Sequence, residues 1–364
     1  MPTVFFIGAT GHIGGAILHL LTSKDKFTKD LQIRALVRDS DKATRLQDKF
    51  PKVKNLECVV GDLKTLDVLE REAEAADIVI NTAPDITHDD GINAVLDGLS
   101  AGPSKAYYIH TAGASLIWDE PTGNPEAREW DDIADLEDIK KLDVAHTHSQ
   151  TDRQVRAAHA PGKLHVAIVS PVMVGGMSPF SSEHPIAEGK NQFGWVHVDD
   201  LARIYEGLVA DALGSLAAAA AGDPSDVTSA DATLWGPDAY YFGSAKNYIF
   251  HEWMQGIVPA LQMTQLIKTS DIKSVNVHEA ARKALYGGTS QEYDENAPPP
   301  PEDSWAMHIA IMYAINMRVR PSRAAKLLDW KPEKDVMADW EHIFQTFLKR
   351  EAAEAAAVAA AAKA

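Results

Sequence analysis

The sequence predicts an α/β fold: a doubly wound parallel sheet with a small, mostly helical lobe at the C-terminal side. Over residues 1–115, apolar runs typical of buried strands alternate with amphipathic helical patterns. The first apolar run leads directly into a glycine-rich turn. After residue 170 the chain changes to segments with little periodicity and then to mostly helical patterns. Strands separated by helices imply right-handed crossovers, and therefore a parallel sheet.

Each predicted strand is a short apolar run, and each predicted helix carries an apolar stripe. The pattern predicts strands at residues 4–7, 31–37, 56–60, 77–81, 106–110, 164–169, 196–200 and 239–243. It predicts helices at 40–50 with Ser40 as the cap, and at 65–76, 91–99, 137–159 and 200–212. A loop or a poor helix end is expected at 214–234, and an extended proline-rich stretch at 298–301.

The composition is that of an ordinary globular protein with an acidic surface. The 364 residues are 45% hydrophobic and 24% charged, with a formal net charge of −17. Nucleic acid and anionic membranes are therefore not expected as partners. A single cysteine, Cys58, excludes an internal disulfide, and no apolar run approaches the ~20 residues that span a bilayer. We expect a cytoplasmic protein with a small-molecule substrate; a homodimer stays open.

The turn after the first strand has the spacing of a dinucleotide-binding loop. Gly8 permits the tight turn, Gly11 lets the backbone approach a pyrophosphate, and Gly14 lets the following helix pack close to the strand. The helix N-terminus offers free N–H groups to the phosphates. Strand, glycine turn and helix in this order predict a Rossmann fold whose cofactor contacts are Gly8, Thr10, Gly11, His12, Ile13 and Gly14.

We accordingly divide the chain into a dinucleotide-binding domain and a C-terminal lobe. Residues 1–170 are expected to form the Rossmann domain. Residues 171–350 form a mixed segment, in which 196–213 return to the Rossmann core and the remainder forms a substrate lobe. Residues 351–364 are an alanine-rich tail.

The end of the second strand favours NADP over NAD. NAD selectivity usually depends on an acidic residue at this strand end, but here Arg38 comes first and Lys42 follows one helical turn later. A guanidinium makes planar, charge-assisted bonds to a 2′-phosphate. Asp39 leaves NAD open, and Arg38 as a solvated surface charge is the alternative.

Two further strand ends point toward the same crevice. Asp62 and Leu63 follow the third strand, where Asp62 could accept a hydrogen bond from the adenine amino group or cap the next helix. Thr82 and Ala83 follow the fourth strand and could line the cofactor ribose. Ligands of open α/β sheets bind at these carboxyl ends.

With these residues in place, the chain resembles an extended or atypical short-chain dehydrogenase/reductase of the epimerase/dehydratase and dihydroflavonol-reductase-like branch. The resemblance covers residues 3–213 and, more weakly, 320–346. Besides the motifs above, it rests on Ser170-Pro171-x-x-Val174, on Trp195 to Asp200, and on a late segment from Ser322 to Pro332. It implies that Ser170, Pro171 and Val174 face the nicotinamide, and that the His197–Asp200 segment braces the sheet.

The chain departs from this family at the catalytic pair. Family enzymes use Tyr-x-x-x-Lys together with a Ser or Thr after the fifth strand, but no tyrosine lies between Tyr108 and Tyr205. The best alignment puts His148 at the tyrosine position and Asp152 at the lysine position. Ala112 stands at the expected hydroxyl position, with Thr111 and Ser115 nearby. We take His148, Asp152 and Thr111 as the candidate catalytic residues.

Three interpretations follow from this loss. In the first, His148 replaces the tyrosine as general acid, assisted by Asp152, and the protein is an NADP-dependent oxidoreductase on a small hydrophobic carbonyl or alcohol. In the second, the protein binds the dinucleotide without hydride transfer, as a redox sensor or as a non-redox isomerase, lyase or cyclase. In the third, catalytic groups come from the lobe, with these candidates: Tyr240, Tyr241, Lys246 and His251.

Two other patterns have simpler interpretations. The chain has 14 histidines, but none of them shows zinc-ligand spacing beside a carboxylate, so no metal site is expected. Residues 235–260 are the most aromatic part of the chain and could form a substrate wall or a core that joins lobe and sheet.

Overall fold

A computed structural model gives the fold. It describes residues 1–24, 27, 29, 31–51, 53–84, 89–102, 105–125, 128–176, 191–221, 234–265, 267, 269–272, 275–286, 298, 300–338 and 340–361.

The secondary structure alternates as predicted over the first half of the chain. The strands are β1 Thr3–Ile7, β2 Gln32–Val37, β3 Leu56–Val60, β4 Ile78–Asn81, β5 Ala106–Thr111, β6 Trp130–Asp131, β7 Leu164–Pro171, β8 Met173–Gly175, β9 Gln192–His197, β10 Tyr240–Gly243, β11 Lys246–Ile249 and β12 Val319–Arg320. The helices are α1 His12–Ser23, α2 Ser40–Lys49, α3 Leu66–Glu74, α4 Asp89–Ala101, α5 Leu136–Ile139, α6 Ser149–Ala157, α7 Val198–Ala220, α8 Phe250–Met263, α9 Val277–Tyr286, α10 Trp305–Met312, α11 Ser322–Leu327 and α12 Trp340–Ala361, with a 3₁₀ helix at Ala114–Ile117.

The core of the molecule is one parallel sheet. Within the described residues it has seven strands in the order β10-β7-β5-β4-β1-β2-β3. The chain therefore winds outward in both directions from the boundary between β1 and β4, which is the doubly wound arrangement that the sequence predicts. The predicted fold class is confirmed.

Helices cover both faces of this sheet. The sequences of its central strands are therefore continuous apolar runs. α1 packs against α7, and α3 packs against α4. Because right-handed crossovers run in opposite directions from the centre of the sheet, these two pairs lie on opposite faces. Every residue of β4, β5 and β7 is buried, as expected for parallel strands covered on both sides.

The aromatic segment of the C-terminal half is core. Tyr240 and Tyr241 lie in β10 and are fully buried. Trp253 of α8 stacks on Trp195 of β9 with ring centroids 5.1 Å apart, and Trp340 of α12 closes the cluster at 5.5 Å from Trp253. The substrate-wall interpretation of this segment is therefore wrong for these rings, which instead join the lobe to the sheet.

Several predicted boundaries need correction. The long helix expected over 137–159 is broken into α5 and α6, and the second helix begins after His148, whose φ of 70° is left-handed. The cap of α2 is Asp39, not Ser40, because its carboxylate accepts from the Lys42 N–H at 2.8 Å.

The C-terminal boundaries also shift. α7 continues through the alanine run to Ala220, so the first part of 214–234 is the end of a helix. Residues 222–233 of that segment lie outside the described residues. β10 gives the Rossmann sheet an outer strand from the range assigned to the lobe. Of the predicted proline stretch, residue 299 lies outside the described residues, as do 362–364 of the tail. In the described part of the chain, no helix has the length and apolar character needed to cross a membrane.

A buried aspartate fastens the lobe to the edge of the sheet. The Asp132 carboxylate accepts from the Phe242 N–H of β10 at 2.9 Å and from the Arg323 N–H of α11 at 2.8 Å. β6 beside it pairs in parallel with β12. Burial raises the pKa of Asp132 to about 7, despite the two backbone donors.

This carboxyl makes the stability of the fold depend on pH. Because its pKa is higher in the folded than in the unfolded chain, Asp132 stabilises the fold at low pH, and this contribution is lost as the pH rises from about 4 toward 7. We expect Asp132→Asn to flatten the pH dependence of the free energy of unfolding over this window, by a slope approaching about 1.4 kcal/mol per pH unit. Urea unfolding at pH 5 and pH 7.5 measures this; identical pH dependence in both proteins would contradict it.

Candidate cofactor and catalytic site

The glycine loop is closed by Thr82. Gly8 has a φ of +86°, and its carbonyl accepts from the Gly11 N–H at 2.8 Å. A Cβ at Gly14 would overlap the Gly8 carbonyl and lie 2.7 Å from Thr82 Oγ1, and one at Gly8 would lie 2.5 Å from the same oxygen. Positions 8 and 14 therefore admit only glycine, and Thr82 lies beside the loop as the sequence predicts.

The start of α1 is open toward a ligand. Its N-cap is Gly11, which supplies no side-chain cap, and its described first turn contains no acidic residue. The first N–H groups of α1 are therefore not taken by a capping side chain, and the positive end of the helix dipole faces the turn. This arrangement fits the pyrophosphate of a dinucleotide.

The opposite end of the predicted cofactor site lies at the ends of β2 and β3. Arg38 is exposed directly after β2. Asp39 caps α2, so the carboxylate that NAD selectivity would use is hydrogen-bonded to its own helix. Asp62 accepts from the Lys64 and Thr65 N–H groups at 2.9 and 3.1 Å and so closes a turn ahead of α3, whose N-cap is Thr65.

The structure brings His148 to the end of β5. Gly113, the N-cap of the 3₁₀ helix, has an extended φ of −159°. A Cβ placed on it would lie 2.6 Å from His148 Nε2. The imidazole thus lies directly against the backbone that follows β5, at the carboxyl edge that also carries the glycine loop. The break between α5 and α6 is what allows this approach.

The other two predicted catalytic residues have different positions. Asp152 is 2% exposed in the first turn of α6, and its N–H donates to the His148 carbonyl at 2.9 Å. The Thr111 hydroxyl is 2.7 Å from the Tyr205 hydroxyl of α7, and burial raises the pKa of that tyrosine. The Thr111 hydroxyl therefore lies against α7, and its catalytic role stays a prediction.

Ser170 is a buried hydroxyl at the same edge of the sheet. It is 0% exposed near the end of β7, and its Oγ has no hydrogen-bond partner among the described residues. Pro171 ends β7, and Val174 lies in β8 immediately beyond. A buried hydroxyl without a partner fits a site completed by a polar ligand group.

The His197–Asp200 segment has a bracing role, as the resemblance implies. The His197 side chain caps α7 by accepting from the Asp199 N–H at 3.1 Å. Asp200 is buried and accepts from the Glu333 and Lys334 N–H groups at 3.0 and 2.8 Å. These contacts hold the segment after α11 against the sheet.

In the described part of the lobe, the four candidates of the third interpretation differ in burial. Tyr240 and Tyr241 are core residues, and the Tyr241 hydroxyl donates to the Leu234 carbonyl at 2.7 Å. Lys246 and His251 are exposed. No cluster able to hold a metal ion occurs in the part of the chain that is described.

Sequence reasoning missed two contacts of the 3₁₀ helix and the residues that follow it. The His146 Nδ1 atom lies 3.0 Å from the Leu116 carbonyl oxygen, which ties the loop before α6 to the 3₁₀ helix. Trp118, just after the 3₁₀ helix, faces His308 of α10 with ring centroids 6.0 Å apart. Neither contact has a periodic signal in the sequence, because each joins segments far apart in the chain.

Comparisons with known proteins agree with this architecture. Residues 4–98 match the family model of the saccharopine dehydrogenase NADP binding domain. The expectation of an NADP-binding domain with NADP as cofactor is thereby confirmed. The chain is 26% identical over 358 residues to "Oxidase ucsJ" of an Acremonium species, covering 90% of this chain and 92% of that protein.

Solved structures extend the likeness to the whole fold. Yeast methylglyoxal/isovaleraldehyde reductase complexed with NADPH has a TM-score of 0.57 at 16% identity, covering 96% of this chain and 99% of that one. The dTDP-glucose 4,6-dehydratase of Streptomyces venezuelae, with NAD and TYD bound, has a TM-score of 0.59 at 14% identity, covering 95% and 97%. These likenesses show that the chain has the Rossmann-like fold of these reductase and dehydratase structures.

Proposed function

We propose that the protein is an NADP-dependent oxidoreductase that acts on a small hydrophobic carbonyl compound or the corresponding alcohol, with His148 as general acid and base. The observation that supports this most is the His148 imidazole against Gly113, at the sheet edge that also carries the glycine loop. An imidazole titrates near neutral pH and can exchange a proton with a carbonyl oxygen.

The proposed cofactor site runs along the carboxyl edge of the sheet. The Gly8–Gly14 loop would hold the pyrophosphate at the start of α1 through residues that include Thr10, His12 and Ile13, and Arg38 with Lys42 would hold the 2′-phosphate. Asp62, Leu63, Thr82 and Ala83 would line the adenine and ribose. Ser170, Pro171 and Val174 would border the nicotinamide. When bound, NADPH supplies a hydride.

The proton would come from His148. In the direction of reduction, the protonated imidazole donates to the substrate oxygen as the carbonyl carbon becomes tetrahedral, and the half-exposed ring regains its proton from water. Asp152 lies one turn away in the first turn of α6, where a carboxylate is favourable both to the helix dipole and to a nearby imidazolium. Asp152 is therefore proposed as the positioning partner of His148.

The loop after the 3₁₀ helix supports an apolar substrate. Trp118 is half-buried there and is bordered by His308 of α10. The chain has a net charge of −17, which is unfavourable for a polyanionic substrate. The dihydroflavonol-reductase-like branch, a cytoplasmic location and a homodimer are kept as proposals of the same kind, which substrate screening, localisation and sedimentation would test.

We expect NADPH oxidation with at least one member of a panel of aldehydes and ketones, followed by absorbance at the nicotinamide band. His148→Phe should reduce turnover by about a hundredfold, because it removes the proton donor while keeping an aromatic ring at this position. The exposed His342→Phe in α12 is the matched control and should retain turnover. Unchanged turnover in His148→Phe would contradict the proposal, and NADPH binding without any turnover would favour the sensor or non-redox alternative.

A second substitution tests the position of the ring without removing it. Gly113→Ala places a methyl group 2.6 Å from His148 Nε2, and the extended backbone tolerates alanine. Since the clash is with the end of a side chain, the ring should move while the fold persists. We expect turnover to fall by about tenfold with unchanged NADPH affinity. Gly214→Ala, in α7 with open space around it, is the control; equal turnover in both variants would refute the assigned position.

Arg38→Ala tests the proposed phosphate site. Loss of a charge-assisted hydrogen bond should weaken NADPH binding by about tenfold to a hundredfold, while NADH, which lacks the phosphate, should bind as before. Calorimetric titration with both cofactors measures this. An equal loss of affinity for NADPH and NADH, or no loss of affinity for either, would show that Arg38 does not contact the 2′-phosphate.

A further inference from the structure

Three buried polar side chains form a row of hydrogen bonds below the edge of the sheet that carries the glycine loop. They have no part in the mechanism proposed above. The row consists of Asn81 at the end of β4 and of Tyr108 and His110 in β5. Asn81 is 4% exposed, and Tyr108 and His110 are 0% exposed. Burying three polar groups is costly unless they are hydrogen-bonded, so their arrangement needs an explanation.

One backbone N–H group determines the orientation of the Asn81 side-chain amide. The Ala83 N–H can only donate, and it lies 3.1 Å from Asn81 Oδ1, which settles which end of the Asn81 amide is the oxygen. Asn81 Nδ2 then donates to the Tyr108 hydroxyl at 3.1 Å. The Tyr108 hydroxyl in turn lies 3.0 Å from His110 Nδ1, and these two atoms share a hydrogen bond.

The same amide belongs to the wall of the glycine loop. Asn81 pairs with Ile7 in the sheet, and the Thr82 N–H donates to the Ile7 carbonyl at 2.9 Å. The Thr82 side chain then fills the space between Gly8 and Gly14. Two hydrogen bonds thus hold the Thr82–Ala83 peptide. The Thr82 N–H donates to β1, and the Ala83 N–H donates to the Asn81 side chain.

We propose that Asn81, Tyr108 and His110 are positioning residues of the dinucleotide site, which they hold in its binding conformation through the Thr82–Ala83 peptide. The inference rests on the proposed NADP site. Without the Tyr108 hydroxyl, Asn81 Nδ2 loses its buried acceptor, and the amide gains by rotating away from Ala83. The free protein then has to re-form the wall each time the cofactor binds, which weakens the measured affinity.

The neighbouring tyrosine provides a matched control. Tyr107 is equally buried in the same strand but points to the opposite face, where it stacks on His165 with centroids 5.1 Å apart and meets Trp235 at 4.8 Å. Replacing either tyrosine with phenylalanine removes one oxygen from the core of the sheet. Only Tyr108→Phe should affect the cofactor.

Calorimetric titration of the full chain with NADPH tests this. We expect Tyr108→Phe to bind NADPH about tenfold more weakly than the wild type, and Tyr107→Phe to bind equally well, whatever the change in melting temperature of each. Wild-type affinity in Tyr108→Phe, or an equal loss in both variants, would overturn the inference alone. Failure of the wild-type protein to bind NADPH would overturn the proposed cofactor site and this inference with it.

A measurement on the wild-type protein keeps the inference testable if Tyr108→Phe does not fold. In the free protein, the Ala83 amide should exchange slowly with solvent deuterium, because Asn81 Oδ1 accepts a hydrogen bond from it. Exchange of this amide at the rate of an unprotected amide would mean that Asn81 does not hold the Ala83 N–H, and that the inference is wrong.

Discussion

The close approach of Thr82 to Gly8 and Gly14 is the constraint on which the rest of the site depends. It joins the ends of β1 and β4, the two strands from which the chain winds in opposite directions. A crevice forms outside such a pair because the crossovers leave it in opposite directions. The N-cap of α1 is Gly11, which makes no side-chain capping hydrogen bond. Topology and local sterics thus bring the glycine loop, Thr82 and the start of α1 together at one point of the sheet.

The position of His148 depends on the break between α5 and α6. A continuous helix over 137–159 would carry position 148 inside a helical turn, whereas His148 here precedes α6 with a left-handed backbone. This conformation is uncommon for a residue with a Cβ, and such positions are frequently found at functional sites. The absence of a side chain at Gly113 leaves room for the imidazole. The proposed exchange of tyrosine for histidine is therefore accompanied by a change in the backbone that carries it.

Much of the fold could be predicted because its signals are local. The β1 run, the glycine spacing and the alternation of strands with helices depend on neighbouring residues, and these predictions are confirmed. The break before His148 was missed because residues 137–159 have helical composition, while the turn at 140–148 is stabilised by contacts such as Ser149 Oγ to the Leu142 carbonyl at 3.0 Å. The orientation of Thr111 toward Tyr205, and the Trp118–His308 contact, join segments about 90 and 190 residues apart, which no local pattern reports. β10 was recognised as a strand, but its place in the sheet depends on such a distant pairing.

The central claim is that the glycine loop at the start of α1 binds the pyrophosphate of NADPH. Titration of ¹⁵N-labelled protein with NADPH, followed at the backbone amides of Gly8, Gly11 and Gly14, tests it most directly. The account predicts saturable shifts at these amides, with smaller shifts in the distant helix α12. Absence of shifts at the loop under conditions where the protein is folded would contradict it, as would shifts confined to the C-terminal lobe.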